Sequence, residues 1–355
     1  MLVDKIKTLI KNHPRLEACY MLLDAIKDET KAKRIVGLKR DPYTIIMKSY
    51  GDNHPNDNIY YINYDEEYKV NGFCSIYRFV LLHLAFADDI NMKSIVRWGE
   101  NTLYYDKSIT NCHNAFEYYF NPVSDVSSKE VMECKHVVMS KPLDASAFGT
   151  VTNYTIPDSE FEFLGSILKK YVHLNNNIRN MFWDEMLGIV EGGKTLGVHV
   201  RATDYNKGYN RHPKIVTPEE YLYYTQEAVK EHNFEKVFLA TDDENVITLF
   251  CNKFGEKLVY YHDIYRSKNG EAIHYGNDHV KRDHHKFLLG LEILKDFYTL
   301  GHCAGLIAGI SNVSMCARIV KASTGEQYVY KNIINKGVNH NFHETRSFFK
   351  PMIKK

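Results

Sequence analysis

GVHVRATDY, Gly197 to Tyr205, is the stretch on which the fold of this chain turns. Alternation puts Val198 and Val200 on one face of a strand and His199 and Arg201 on the other. Arg201 falls near the strand's end, and Ala202-Thr203-Asp204 opens a polar loop rather than a helix. A planar, permanently charged fork at a strand tip suits the grip of a diphosphate. Two further apolar runs end in polar residues in the same way: FLATDDEN at Phe238–Asn245 and AGLIAGISNVS at Ala304–Ser314. Three such tips from successive βα units point to a nucleotide crevice.

The pattern around them is regular. Helix 218–232, strand 236–241, helix 244–254, strand 257–261, helix 284–300, strand 304–310 and helix 312–321 are expected after the strand at 196–201. Strands alternating with helices predict a parallel, doubly wound sheet. Upstream, Ile59–Tyr64 reads as a strand. A loop Asn71–Ser75 opens a buried helix through Ala87, and Lys93–Trp98 reads as the next strand. Residues 110–160 are irregular, Phe161–Phe182 reads as one amphipathic helix, and Glu191–Lys194 is the linker candidate. Two short helices are expected within residues 1–35. The organisation expected is therefore an α/β lobe over 1–190, a second over 191–345 and a tail from 346, with ligands held between the lobes at the strands' C-terminal ends.

Composition bounds the chemistry. The 355 residues suffice for two domains, and 44% hydrophobic with 25% charged residues is ordinary for a globular protein. A net charge of +1 gives general nucleic-acid affinity no support. The 26 tyrosines fit either sugar-binding clefts or a genome biased toward that codon set. Seven scattered cysteines without a CxxC pair read as reduced thiols of a cytoplasmic protein. The longest apolar run, Phe79–Ala87, is interrupted by His83 and far short of the roughly 20 residues that span a bilayer.

Each candidate residue has a plain alternative. Arg201 either stabilises charge on a leaving diphosphate or pairs with Asp204 or Glu219. His199 contacts a base or ribose, or is a satisfied core histidine. One of Asp242 and Asp243 is expected to cap a helix, leaving the other for a sugar or an arginine. Ser311-Asn312 caps the following helix, and a helix start with small polar residues is also a phosphate site. Asp296 sits beside the Leu289, Ile293, Leu300 stripe. It is either solvated or accepts from the N1–H and amino group of guanine. His279, Asp283, His284 and His285 look metal-like, but adjacent histidines cannot share a helix face, and a polar loop entering a helix is the preferred account.

The second half resembles the fucosyltransferase superfamily of α1,6-fucosyltransferases, nodulation fucosyltransferases and protein O-fucosyltransferases. The resemblance rests on His199, Arg201, Thr203 and Asp204, on His212-Pro213 with Glu219-Glu220-Tyr221, on Leu239 to Asp243, and on Asp296 with Ser311-Asn312. It implies two Rossmann-like lobes of the GT-B type with the active site in the cleft between them. It implies inverting, metal-independent transfer of L-fucose from GDP-fucose to a hydroxyl of an oligosaccharide or lipid-linked glycan, with no cofactor. Arg201 would bind the β-phosphate, His199 and Asp296 the guanine, and Ser311 a phosphate. Asp242, Asp243 and Tyr221 would shape the donor pocket, with Gly72 on a first-lobe loop facing the donor. The sequence departs from the family in two places. Ala202 stands where a second arginine is usual, and Tyr205–Arg211 lacks the usual glutamate. Asp204 becomes the first choice of general base, with Asp106 or Glu117 as the alternative. The departures keep two other readings open: a transferase using another nucleotide-sugar, and a silent glycan- or nucleotide-binding module. The tail Phe348–Lys355 suggests at most peripheral contact with an anionic membrane.

Overall fold

In the computed structural model, which describes residues 46–64, 72–140, 156–202, 213–268, 282–337 and 339, the GVHV stretch is a strand with all six residues buried. Such a strand is covered on both faces, the mark of a parallel sheet flanked by helices. In chain order the elements before it are β1 (Met47–Lys48), β2 (Ile59–Tyr64), α1 (Phe73–Asp89), β3 (Lys93–Trp98), β4 (Val137–Met139), α2 (Asp158–Tyr171) and α3 (Asn176–Val190). From that strand onward come β5 (Thr195–Val200), α4 (Pro218–His232), β6 (Lys236–Thr241), α5 (Glu244–Phe254) and β7 (Leu258–Val259). The series ends with α6 (His285–His302), β8 (Gly305–Gly309), α7 (Asn312–Ser323) and β9 (Tyr330–Ile334). The described residues from Lys48 onward group as one compact unit.

The strands form two sheets, one of order β1-β4-β2-β3 and one of order β7-β6-β5-β8-β9. Every registered pair is parallel, with Thr195 opposite Lys236, Leu196 opposite Gly305, and Ile59 opposite both Lys93 and Val137. Counted within the second sheet, the order is 3-2-1-4-5, so the winding reverses between β5 and β8. In open α/β sheets ligands lie beyond the strand ends at that reversal. Leu196, Val198 and Val200 pack with Val216, Tyr221, Ala228, Val246 and Phe250 on one face of the sheet.

Much of the tyrosine content is core. Tyr60, Tyr64, Tyr77, Tyr104, Tyr119 and Tyr261 are all fully buried. Phe73 makes edge-to-face contacts with Trp98, Tyr104 and Tyr119 at 5.1–5.2 Å between centroids. Tyr119 stacks on Phe287 and donates to its carbonyl at 2.8 Å, tying the first sheet's surroundings to α6. The six described cysteines are free, four of them buried.

Several expected boundaries moved. The helix expected at Phe161–Phe182 is two helices, because Asn175 breaks it and starts the second. Its side chain accepts from Ile178 N at 2.9 Å and donates to the carbonyls of Glu117 and Tyr118. Both helices pack chiefly on second-sheet helices, α2 on α7 and α3 on α6. The strand expected at 257–261 shrinks to Leu258–Val259. The loop expected at Asn71–Ser75 is already helix from Phe73. The linker candidate is a single 3-10 turn, Glu191–Gly193. Strands β4 and β9 were not expected; β9 is a partly exposed edge without clean alternation. The helices expected in 1–35 and the tail lie outside the described residues.

Candidate functional site

Four of the residues singled out by sequence meet in one pocket. His199 and Arg201 come from the end of β5, Ser311 from the turn after β8, and Tyr221 from the first turn of α4. Lys214, Val216, Gly309 and Ile310 complete the lining of a pocket that is narrow as it stands, about 10 Å³. It lies where the winding reverses, beyond the C-terminal ends of β5 and β8.

Local sequence explains each placement. Thr217 opens α4 with a capping box in which Thr217 Oγ1 accepts from Glu220 N at 3.3 Å and Glu220 accepts from Thr217 N at 2.9 Å. Pro218 at the first helical position costs nothing, since that N–H has no intrahelical partner. One turn of helix then carries Tyr221 against the end of β8. Gly309 is required there, because a Cβ would overlap the Tyr221 hydroxyl. Ser311 caps α7, accepting from Ser314 N at 3.1 Å, while Ser314 Oγ accepts from Ser311 N at 3.1 Å. The remaining free N–H groups and the dipole of α7 make this end of the pocket favourable to an anion.

The pocket is electrostatically sorted. Burial, with help from the Arg201 guanidinium, pushes His199 down to about 3, so its ring is neutral throughout the physiological range. A neutral imidazole next to a fixed cation is both donor and acceptor. Its Nδ1 lies 3.4 Å from Ser311 Oγ. The first turn of α1 lies within reach of the same charge. Cys74 has its thiol raised by burial and opposed by the positive charges of Arg78 and Arg201, and Arg201 acts on Tyr104 as well. Gly72 is the N-cap of α1 and supplies no side-chain cap; Phe73 N instead donates to Tyr104 Oη at 2.5 Å.

Asn312 lies outside the pocket lining and receives a hydrogen bond from Arg78 Nη1 at 2.7 Å. One turn along, Cys316 Sγ approaches the Cys74 carbonyl at 3.5 Å. Thus α1 clamps the N-terminal half of α7 through residues four apart on each helix. Sequence reading missed Arg78 and Lys214.

The acidic residues separate by role. Asp243 is the cap of α5, accepting from Asn245 N at 2.8 Å and Asn245 Nδ2 at 3.0 Å. Asp242 Oδ1 accepts from Ala202 N at 3.0 Å, joining the ends of β5 and β6. Neither lines the pocket with Arg201. Asp296, on α6, is also outside that lining. As a residue it is part-exposed, yet its Oδ1 is sealed and has no hydrogen-bond partner. Burial pushes its carboxyl up to about 8 against the lowering influence of Arg266.

Asp204 and His212 lie outside the described residues. Asp106 is committed elsewhere: it accepts from Ser108 N at 3.0 Å, Ser108 Oγ at 2.5 Å and Lys286 N at 3.2 Å. These bonds outweigh burial and hold its carboxyl below the usual range, a poor state for a general base. Glu117 accepts from Asn114 Nδ2 at 2.7 Å. His284 and His285 diverge, the first toward Ser108 Oγ at 2.8 Å and the second toward Arg282 Nε at 2.9 Å. Among the described residues, no group of three or more His, Cys, Asp or Glu side chains is placed to hold a metal ion. No described helix is long and apolar enough to cross a membrane.

No family model matches the chain, and no curated protein matches it. Solved structures to which it is similar include NodZ α-1,6-fucosyltransferase soaked with GDP-fucose. That pair is 17% identical over 74% of this chain and 92% of that one, with a TM-score of 0.44. Fucosyltransferase NodZ from Bradyrhizobium is 15% identical over 74% of this chain and 92% of that one, with a TM-score of 0.41. POFUT1 in complex with GDP-fucose is 11% identical over 80% of this chain and 99% of that one, with a TM-score of 0.44.

Proposed function

We propose that this chain is a glycosyltransferase that moves L-fucose from GDP-fucose to a hydroxyl of a glycan acceptor, with inversion and without a metal. One observation carries the reading. Arg201, neutral His199 and the Ser311-led start of α7 line one pocket at the reversal point of a parallel sheet. A permanent cation beside free helix N–H groups is a diphosphate site. The identity of the sugar rests on the motif positions His199 to Asp204, Leu239 to Asp243, and Asp296 with Ser311-Asn312.

In this reading the two sheets belong to two lobes, and the acceptor enters between them. The acceptor oxygen attacks the anomeric carbon from the face opposite the leaving group. The C–O bond to the β-phosphate breaks, and its electron pair leaves with GDP. Arg201 and the α7 N-terminus stabilise the growing charge on that phosphate, the task that preorganised donors perform elsewhere. Asp204 receives the acceptor's proton. Asp296 reads guanine through its N1–H and amino group.

The test is sugar transfer from GDP-fucose to a mixed glycan pool, with donor competition by GDP, UDP and CMP. GDP release coupled to fucosylated product, inhibited by GDP far better than by UDP or CMP, is expected. Arg201→Ala should lower turnover by about 100-fold or more, on the scale of losing one oxyanion donor. Binding of GDP without any transfer would instead favour the silent module.

A further inference from the structure

A second and larger cleft lies away from the candidate donor pocket, where the start of α2, the second half of α7 and the entry to β9 meet. It holds about 320 Å³, within the range of sites that take a small organic ligand. Its lining sets three cations, Arg318, Lys321 and Lys331, against three carboxylates, Asp158, Glu162 and Glu326, and two of the cations lie deeper than the acids they pair with. Arg318 and Lys321, successive-turn residues of α7, have side chains only 13% and 6% exposed. Their partners Asp158 and Glu326 are 64% and 70% exposed. Lys331 at the cleft edge donates to both oxygens of the Asp158 carboxylate, at 2.7 and 2.9 Å.

Buried cations normally gather enough acceptors to offset lost hydration. These do not. Among the described residues, Arg318 gives one of its five N–H donors to a side chain, Asp158 Oδ1 at 2.9 Å. Its guanidinium carbon lies over the Phe161 ring, 3.6 Å from the centroid. Lys321 gives one of its three to Glu326 at 2.9 Å and sits over Tyr328 at 5.4 Å. The aromatic faces are thus occupied by the cations, which leaves stacking of a sugar ring unsupported. The carboxylates sit at the rim, where an exposed ion pair is worth little, so displacing them by a better-placed anion costs little.

We propose that this cleft binds the phosphoryl group of a small phosphate monoester. Arg318 and Lys321 hold its oxygens from the floor, Lys331 closes from the side, and Asp158 and Glu326 turn outward. Three cations from two elements suit a tetrahedral, doubly charged group better than a planar carboxylate. The volume leaves room for the alcohol it esterifies.

Calorimetric titration of the full chain with glucose 6-phosphate, inorganic phosphate, acetate and glucose tests this. Saturable binding of glucose 6-phosphate is expected, with none for glucose and weaker binding of acetate. Inorganic phosphate binding as tightly as the ester would support the same site with free phosphate as its source. Lys321→Gln and Arg318→Gln should each weaken binding about tenfold or more, the scale of a charge-assisted hydrogen bond. Arg318 also packs on Phe161, so a second variant with opposite sign guards against misfolding. Asp158→Asn with Glu326→Gln frees the cations and should tighten binding several-fold. The same titrations are run in the Arg201→Ala background, so that phosphate held by the other pocket does not contribute and the effects of the charge variants belong to this cleft. Binding insensitive to the charge variants, equal binding of glucose, or no saturable heat with any anion would overturn the assignment.

Discussion

Asp296 has one sealed oxygen and no partner for it. With its carboxyl pushed up to about 8 by burial, it is mostly protonated at neutral pH in the empty protein. In the proposed role guanine offers two donors and needs the carboxylate, so its binding would expel the proton. The sign follows: GDP affinity should rise about tenfold per pH unit below about 8 and level off above it. Titrations at pH 6.5 to 9 in two buffers of different ionisation enthalpy would read both the slope and the released proton. Asp296→Asn should weaken binding and flatten the profile. Affinity that stays level across this range in the unaltered protein would remove Asp296 from the base site. The sequence placed this residue on a helix beside a core stripe, but it could not separate a solvated aspartate from a buried one, since that depends on Arg266 and Tyr261 from another segment.

At the scale of elements, the β8–α7 turn brings the N-terminal end of α7 to the pocket, and it does so through one missing methyl. Gly309→Ala puts a Cβ where the Tyr221 hydroxyl lies. Overpacking of this kind costs about 1–3 kcal/mol. It should also push α4 or α7 away from Arg201, weakening donor binding. Tyr221→Phe alone should cost about 1 kcal/mol for the lost hydroxyl, but in the Gly309→Ala background it should recover stability. Chemical denaturation of the four proteins in a double-mutant cycle measures this; additive losses would mean that the two residues do not meet in solution. The elements around this turn were the most legible in the sequence. Helix 218–232 and strand 236–241 match residue for residue, because capping signals and a doubly covered sheet leave strong local marks. The break at Asn175 was not legible. The apolar stripe runs on past it, and what ends the helix is a pair of hydrogen bonds to carbonyls some 57 residues away. Strand β9 failed for the related reason that an edge strand needs no alternation of its own. Of the site, the residues at strand ends were legible, whereas Arg78 required knowing that α1 lies along α7.

For the molecule as a whole, buried titratable groups set the acid limit. His83 and His199 are both pushed down to about 3, chiefly by burial, against about 6.5 in an unfolded chain. A depressed folded pKa means stability that is complete above about 6.5 and is lost as pH falls toward the folded value. Asp296 acts in the opposite sense, since its raised pKa favours the folded protein as pH falls from about 8 toward 4. Near pH 5.5 the unfolded chain therefore gains two protons at the histidines, and the folded protein holds one at Asp296. The difference of one proton predicts a loss of about 1.4 kcal/mol per pH unit, to which the lowered His302 and His285 add. His83 bonds Tyr60 at 2.8 Å and is not part of the candidate pocket's lining, so it isolates the effect. Urea midpoints measured from pH 7 to 5 should fall steeply for the unaltered protein. They should fall with a slope smaller by about one proton for His83→Gln. Equal slopes would mean that His83 is protonated in the folded state, and that the core around Tyr60 admits water.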